Sequence, residues 1–148
     1  MADLNEVLLG DGTTCWHAGF LVDDETETDL LLRAGTRVPV FTSRAGLEHH
    51  VQGTRHELQE DLPDEVDLDL GGWLAAGSPE PSLGEVAELW HLLVDDPDAS
   101  RPLHSEIVEE AYDDLVEESP DWFEVHGGRA RAALAAAVQR LRSSTRQM

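Results

Sequence analysis

Alternating hydrophobic and polar positions predict that the first half of the chain forms β-strands. Residues 14–22 alternate between two faces, as the side chains of a strand do. The apolar residues 30–32 and the segment 37–41 predict two further strands, and Pro39 favours a sheet edge because proline cannot donate a ladder hydrogen bond. Residues 66–70 alternate between apolar side chains and aspartates, which predicts another half-buried strand. The three N-terminal segments together predict an antiparallel meander.

Helix signals occur once in the first half and dominate the second half. Ser43 is predicted to cap a short helix that reaches about Val51 and ends at Gly53. Ser82 and Glu85 have the spacing of a capping box, in which each side chain bonds a backbone amide of the other residue. A helix is therefore predicted to begin directly after this serine.

Two further helices are predicted towards the C-terminus. Pro102 suits a first helical turn, and the helix that it begins is predicted to reach Glu118. A stripe of apolar side chains supports this helix: Leu103, Ile107, Ala111 and Leu115. The alanine-rich segment 129–142 follows two glycines and predicts the last helix, with Leu134, Val138 and Leu141 on its apolar face.

These elements predict an α+β fold in a single domain over residues 1–148. We expect a small antiparallel sheet from the N-terminal half, packed by helices from the C-terminal half. The strand-rich part covers residues 1–76 and the helical part covers residues 82–148, with a Gly/Pro-rich linker between them. A chain of 148 residues is long enough to bury one full hydrophobic core.

The charge of the chain is strongly acidic and unevenly distributed. The formal net charge is -21 at pH 7, from 31 acidic and 10 basic residues, and every basic residue is an arginine. The last acidic residue is Glu124. Since the whole chain carries -21 and residues 125–148 carry +5, residues 1–124 carry -26. A uniform acidic coat would not obviously leave a basic tail, so this asymmetry is the most informative feature of the composition.

Composition excludes several classes of partner. An acidic body disfavours DNA and RNA, whose binding depends on lysine and arginine neutralising phosphates. No apolar run approaches the roughly 20 residues that span a bilayer, and residues 1–6 lack the basic and apolar parts of a secretory signal. A single cysteine, Cys15, allows no internal disulfide. We therefore expect a cytoplasmic protein without a membrane or nucleic-acid partner.

The predicted helix 102–118 carries the candidate binding surface. Its polar face is a run of carboxylates that could dock on a basic protein and raise the association rate by electrostatic steering. The residues predicted to bind are Glu106, Glu109, Glu110, Asp113, Asp114 and Glu117. A solvated face is the alternative, because the surrounding composition is already acidic. The first interpretation gives a non-catalytic protein-binding module, such as an inhibitor or immunity-like partner of a basic protein.

Glu117 and Glu118 are predicted to lie at the C-terminal end of that helix. The helix dipole disfavours anions there by about 0.3–1 kcal/mol each. We expect an arginine of the last helix, from the same chain or from a second copy, to compensate them. The charge pattern is therefore compatible with a homodimer.

Two other functions stay open from the sequence. His49, His50 and His56 are the densest group of potential ligands and would serve a small enzyme or a metal-dependent hydrolase, although no zinc-site spacing is present. High acidity with arginine as the only basic residue is also typical of halophilic proteins, in which acidity serves solvation alone. The glycine-containing segment 10–14 has no lysine and precedes a strand, so it predicts a turn rather than a phosphate loop. No catalytic residue, metal site or cofactor is predicted.

Cys15 and His17 lie on the same face of the strand predicted over residues 14–22. Residues two apart are roughly 7 Å from each other along a strand, which is too far for direct proton transfer. We therefore expect Cys15 to be buried and structural.

One segment resembles a known family. Residues 36–48 have the sequence Thr-Arg-Val-Pro-Val-Phe-Thr-Ser-Arg-Ala-Gly-Leu-Glu, a predicted strand that runs into Phe-Thr-Ser and then a short helix. This passage resembles the corresponding strand-to-helix passage of SseB-like N-terminal modules. The resemblance implies a small α+β module with a regulatory or interaction role. It includes no catalytic motif and brings no functional residues to this chain.

Overall fold

The computed structural model describes residues 3–10, 12, 14–23, 25–26 and 28–148, without the side chain of Thr28. The α+β class is confirmed. The chain forms two compact units, which we call the sheet unit (Met1–Asp67 with Ser143–Met148) and the helical unit (Leu68–Arg142). The prediction of a single domain stays a prediction. The turn predicted over residues 10–14 includes Asp11 and Thr13, which lie outside the described residues.

The sheet unit contains a mixed four-stranded sheet. Its elements are β1 (Asp3–Gly10), β2 (Cys15–Asp23), β3 (Thr28–Leu31), β4 (Val38–Val40), α1 (Arg44–Gln52), β5 (Asp64–Asp67) and, from the other end of the chain, β6 (Thr145–Gln147). The strand order is β3-β2-β1-β5, in which β1 pairs antiparallel with β2 but parallel with β5. The predicted antiparallel pairing occurs between β1, β2 and β3, and the parallel strand β5 makes the sheet mixed. A helical connection precedes β5, and parallel pairing requires a crossover of this kind.

The hydrophobic pattern does not predict β1, although β1 lies in the interior of this sheet. Leu4, Val7 and Leu9 of this strand are buried, and they do not follow a strict alternation. Glu6 is buried among them, which places a carboxylate inside an apolar stretch. Leu4 and Glu6 lie on one face of the strand, and Val7 and Leu9 lie on the other, so both faces are buried and period-2 patterning fails to identify the strand.

Helix α1 forms as predicted. Ser43 accepts a hydrogen bond from the amide of Gly46 at 3.2 Å, and Gly53 ends the helix. Leu47 and Val51 are buried one helical turn apart, in a cluster with Leu4, Leu32 and Phe41. This cluster fixes α1 within the sheet unit.

β4 and β6 form a separate two-stranded parallel sheet. The pattern predicts β4 but not β6, because the sequence 145–147 contains no hydrophobic side chain. Residue Phe41, next to β4, exchanges two backbone hydrogen bonds with His17 of β2, at 2.8 and 2.9 Å. β4 therefore has β6 along one edge and contacts β2 through the other.

The helical unit contains four α-helices and two short 3-10 turns among its described residues. In chain order these are the turn Leu70–Gly72, α2 (Trp73–Ala76), α3 (Leu83–Val94), the turn Arg101–Leu103, α4 (Glu106–Val116) and α5 (Trp122–Ser144), whose last two residues belong to the sheet unit. The capping box of α3 is confirmed, with Ser82 and Glu85 bonding each other's amides at 3.1 and 3.2 Å. The strand predicted over residues 66–70 ends at Asp67, because the chain turns at Leu70 with a positive φ of 50°.

Helix α4 is shorter than predicted. It begins after Ser105, whose hydroxyl accepts from the amide of Val108 at 3.3 Å, whereas Pro102 lies in a separate 3-10 turn. The buried side chains are Val108, Ala111 and Leu115, and Ile107 is exposed. A serine cap satisfies a free amide of the first turn, which proline cannot do, so the cap decides where the helix begins.

Helix α5 is longer than predicted and includes both glycines of the pair at 127 and 128. Two glycines cost a helix about 1 kcal/mol each relative to alanine. Burial of Trp122 and His126 in the first turns overrides this preference. The predicted apolar face of Leu134, Val138 and Leu141 is confirmed as buried.

Candidate protein-binding surface

Helix α4 presents a continuous row of carboxylates to the solvent. We call the acidic face the six residues predicted to bind, of which Asp114 is half-buried and the others are exposed: Glu106, Glu109, Glu110, Asp113, Asp114 and Glu117. Steps of three and four residues keep the row on one side of the helix. The buried Val108, Ala111 and Leu115 lie on the opposite side. Helix periodicity therefore separates a core side from a charged side.

Two apolar side chains bound the acidic face. Ile107 is 49% exposed and Val116 is 58% exposed. At about 100° of rotation per residue, Ile107 lies beside Asp114 on one flank, and Val116 lies beside Glu109 on the other. A partner that covers the carboxylates would thus also cover apolar surface at both margins.

Most of the acidic face has no cationic partner among the residues that the structure describes. His126 contacts Asp114 at 2.6 Å, and His104 approaches Glu109 at 3.8 Å. For Glu106, Glu110, Asp113 and Glu117, no ion pair occurs within the described part of the chain. These four carboxylates are available to a partner.

Among the described residues of the chain, no arginine of the last helix pairs with Glu117 or Glu118, and compensation by a second copy stays a prediction. Arg140 instead contacts the Asp98 carboxylate at 2.6 Å and donates to the Asp98 carbonyl at 3.0 Å. Arg131 donates to the backbone carbonyl of Trp73 at 2.7 Å. Arg131 thus bonds helix α2 and Arg140 bonds the loop at Asp98, and the end of α4 stays anionic.

The orientation of α4 is set by contacts on its flanks. Tyr112 contacts His91 of α3 through its hydroxyl at 2.6 Å, and its ring lies near Trp90 with centroids 5.5 Å apart. Burial raises the pKa of Tyr112, and the charges of Asp95 and Asp113 raise it further, so the phenol stays protonated at neutral pH. On the other side, Trp122 of α5 donates its indole N–H to the Ala111 carbonyl at 2.8 Å. The contacts with α3 and with α5 therefore fix the orientation of α4 and of its acidic face.

The histidines of the alternative metal site lie in two different segments. His49 and His50 occupy the last turn of α1, and the His50 ring lies 5.4 Å from Phe41 between centroids. His56 follows the helix in an irregular segment. Among the described residues, no group of three or more His, Cys, Asp or Glu side chains is placed to hold a metal ion. The hydrolase alternative therefore stays a prediction without a defined ligand set.

Sequence reasoning missed a buried ionic cluster in the sheet unit. The Glu6 side chain is only 2% exposed, contacts His17 Nδ1 at 2.5 Å and accepts from Arg44 at 3.0 Å. Arg44 also contacts Glu48 at 2.9 Å and donates to the Gln59 carbonyl at 2.9 Å. Burial alone would lower the pKa of Arg44, but the hydrogen bonds that it donates to Glu48 and Glu6 raise it. The available signal was the single carboxylate within the otherwise apolar core of β1.

The prediction that Cys15 is buried is wrong. Cys15 is exposed at the start of β2 and forms no disulfide. Partial desolvation raises the pKa of its thiol above the usual value, and the negative charges of Glu65 and Glu6 raise it further. The thiolate is therefore disfavoured, although the sulfur is accessible.

Alkylation of Cys15 should be slow in the native protein. The raised pKa reduces the thiolate fraction at neutral pH, and the thiolate is the species that reacts. We expect iodoacetamide to label the native chain more slowly than the urea-unfolded chain. Glu65→Gln removes a charge that raises the pKa, so this variant should react faster than the unsubstituted protein at the same pH. Equal rates in the native and unfolded chains would contradict the electrostatic explanation.

Comparison with known proteins identifies a similar fold and no family. No protein-family model and no curated protein matches the chain. The fold is similar to that of the SatS C-terminal domain, in a crystal structure of that domain in complex with bromine. The TM-score is 0.52 at 14% sequence identity, over 98% of this chain and 94% of that chain. At this identity the similarity extends to the fold alone, and the resemblance of residues 36–48 to SseB-like modules stays a prediction.

Among the helices of the described residues, none combines the length and the apolar character that a membrane span requires.

Proposed function

We propose that the chain is a non-catalytic protein-binding module of the cytoplasm whose acidic face binds a basic protein, in the manner of an inhibitor or immunity protein. The observation that carries this proposal is the acidic face itself, held by Tyr112 and Trp122 on a rigid helix and bounded by exposed Ile107 and Val116. Carboxylates steer a basic partner during approach, and apolar contacts at the margins stabilise the complex after docking.

The position of Glu117 supports a partner rather than a purely solvated face. This carboxylate lies at the C-terminal cap of α4, where the helix dipole disfavours an anion by about 0.3–1 kcal/mol. No cation of the described residues offsets this cost. A basic partner would offset it, because a bound cation interacts favourably both with the carboxylate and with the helix end.

The test compares neutralised variants in capture experiments. We expect a variant with Glu106→Gln, Glu110→Gln and Asp113→Asn to lose capture of a basic protein from a native lysate. With the captured protein purified, the association rate at low ionic strength should fall about tenfold or more, because steering depends on these charges. Stopped-flow or surface-plasmon measurements at two salt concentrations give this rate.

A matched variant separates this function from general acidity. Glu57→Gln, Glu60→Gln and Asp61→Asn remove the same charge from exposed positions of the sheet unit. We expect this control to retain binding. Equal losses in both triple variants would favour the halophilic alternative, in which acidity serves solvation, and folding would then require molar salt.

A further inference from the structure

The C-terminal strand β6 covers a strand edge that is suited to accept another polypeptide. All three residues of β4 are buried, and β6 is its ladder partner along one edge. An uncovered strand edge presents free N–H and C=O groups and is a template for pairing with another chain. Access to this edge of β4 therefore depends on how stable its pairing with β6 is.

The backbone pairing defines which groups a docked strand would use. Val38 lies opposite Thr145, and Val40 lies opposite Gln147, in parallel register. Met148 donates its amide to the Val40 carbonyl at 3.0 Å. Because amides alternate in direction along a strand, the amide of Arg146 also points towards β4, and that of Gln147 points away.

Pro39 does not weaken this edge. Phe41 donates its amide towards His17 of β2, and the nitrogen of Pro39, two residues earlier, faces the same side. The missing N–H of the proline is therefore on the β2 side. Towards β6, β4 keeps the amides of Val38 and Val40 as donors together with their carbonyls as acceptors, so the edge can pair fully with a strand.

β6 itself buries little surface. Arg146 and Gln147 are exposed, Thr145 is half-buried, and Met148 is 60% exposed. Segments with few buried contacts open at a small free-energy cost compared with the core. The buried β4 and the exposed β6 thus form an asymmetric pair, in which the covering strand is the more easily released member.

We propose that β4 is a docking edge for an extended cationic segment of the partner protein, and that β6 is an internal occupant which this segment displaces. Strand addition of this kind obtains affinity from main-chain hydrogen bonds. The cationic character rests on the proposed function: the body of residues 1–124 carries -26, and the strand that already occupies the edge carries Arg146.

The test uses the chain's own C-terminal sequence as the probe. A fluorescent peptide Ser-Ser-Thr-Arg-Gln-Met, corresponding to residues 143–148, is titrated against full-length variants and followed by fluorescence anisotropy. Arg146→Pro removes an amide that faces β4, so this variant should bind the peptide at least about tenfold more tightly than the unsubstituted chain, in which β6 competes at high effective concentration. Gln147→Pro removes an amide that faces away from β4 and should bind like the unsubstituted chain.

The peptide affinities test the docking edge independently of the acidic face. Equal peptide affinity of the Arg146→Pro and unsubstituted chains, with both folded by circular dichroism, would overturn it, as would an equal gain in Gln147→Pro. The α4 triple variant should retain peptide binding in the Arg146→Pro background, so a failure of the docking edge is distinguishable from a failure of the acidic face. Loss of peptide binding there would overturn the independence of the edge.

Hydrogen exchange on the unsubstituted chain gives a second measurement if Arg146→Pro does not fold. The amides of Arg146 and Met148 should exchange at least about tenfold faster than the amide of buried Leu134 in α5. Equal protection would mean that β6 is a fixed part of the core, and the proposal would be wrong.

Discussion

Replacing Arg44 with methionine is expected to destabilise the protein by about 1.5–3 kcal/mol, the usual worth of a hydrogen bond to a charged group, because the Arg44 side chain is 31% exposed and only Glu6 of the pair is buried. The Glu6 carboxylate is 2% exposed and would keep only His17 as a close partner. The substitution also removes the donor to the Gln59 carbonyl. Urea denaturation followed by far-UV circular dichroism measures the change in the free energy of unfolding.

A double variant provides the control for this prediction. Glu6→Met combined with Arg44→Met removes both charges and fills the space with apolar atoms, which is often neutral for buried ion pairs. We therefore expect the double variant to be more stable than Arg44→Met alone. If Arg44→Met costs less than about 1 kcal/mol, the carboxylate does not depend on the guanidinium, and the cluster is not a stabilising element.

Local signals predicted the elements whose ends are set by side chains close in sequence. The caps at Ser43 and Ser82 fixed the starts of two helices, because a hydroxyl bonds an amide only two or three residues ahead. The alternation over residues 14–22 likewise identified β2. The prediction failed where tertiary contacts determine the extent of an element. Helix α5 continues through two glycines because Trp122 and His126 are buried. Strand β6 forms only by pairing with a strand over 100 residues away.

The acidic face likewise combines features that local sequence predicts with features that depend on tertiary contacts. The carboxylates of α4 could be assigned from sequence, because helix periodicity alone places them on one side. Their lack of cationic partners among the described residues could not be predicted, since it depends on Arg131 bonding α2 and Arg140 bonding the loop at Asp98. The exposure of Ile107 could not be predicted either, because the sequence pattern assigns this residue to the core stripe until Ser105 is recognised as the cap. The position of the helix start thus determines which apolar residue is left at the margin of the acidic face.

The second large effect is expected at Trp122. Its side chain is fully buried and donates to the Ala111 carbonyl at 2.8 Å, so it links α5 directly to the core side of α4. Trp122→Ala should cost about 3–5 kcal/mol, from lost apolar burial and the cavity that remains. Trp122→Phe retains most of the ring volume but loses the donor, and should cost about 1–2 kcal/mol.

The difference between these two variants separates packing from hydrogen bonding. Far-UV circular dichroism in urea measures both, since loss of an indole would alter a fluorescence signal independently of folding. If Trp122→Phe costs as much as Trp122→Ala, the hydrogen bond to α4 dominates over packing. Trp122 holds the helix that carries the acidic face, so we also expect Trp122→Ala to weaken partner capture at temperatures where this variant is still folded. Trp122→Phe should bind the partner as the unsubstituted protein does. Stability loss without any change in binding would mean that α4 keeps its orientation through Tyr112 alone.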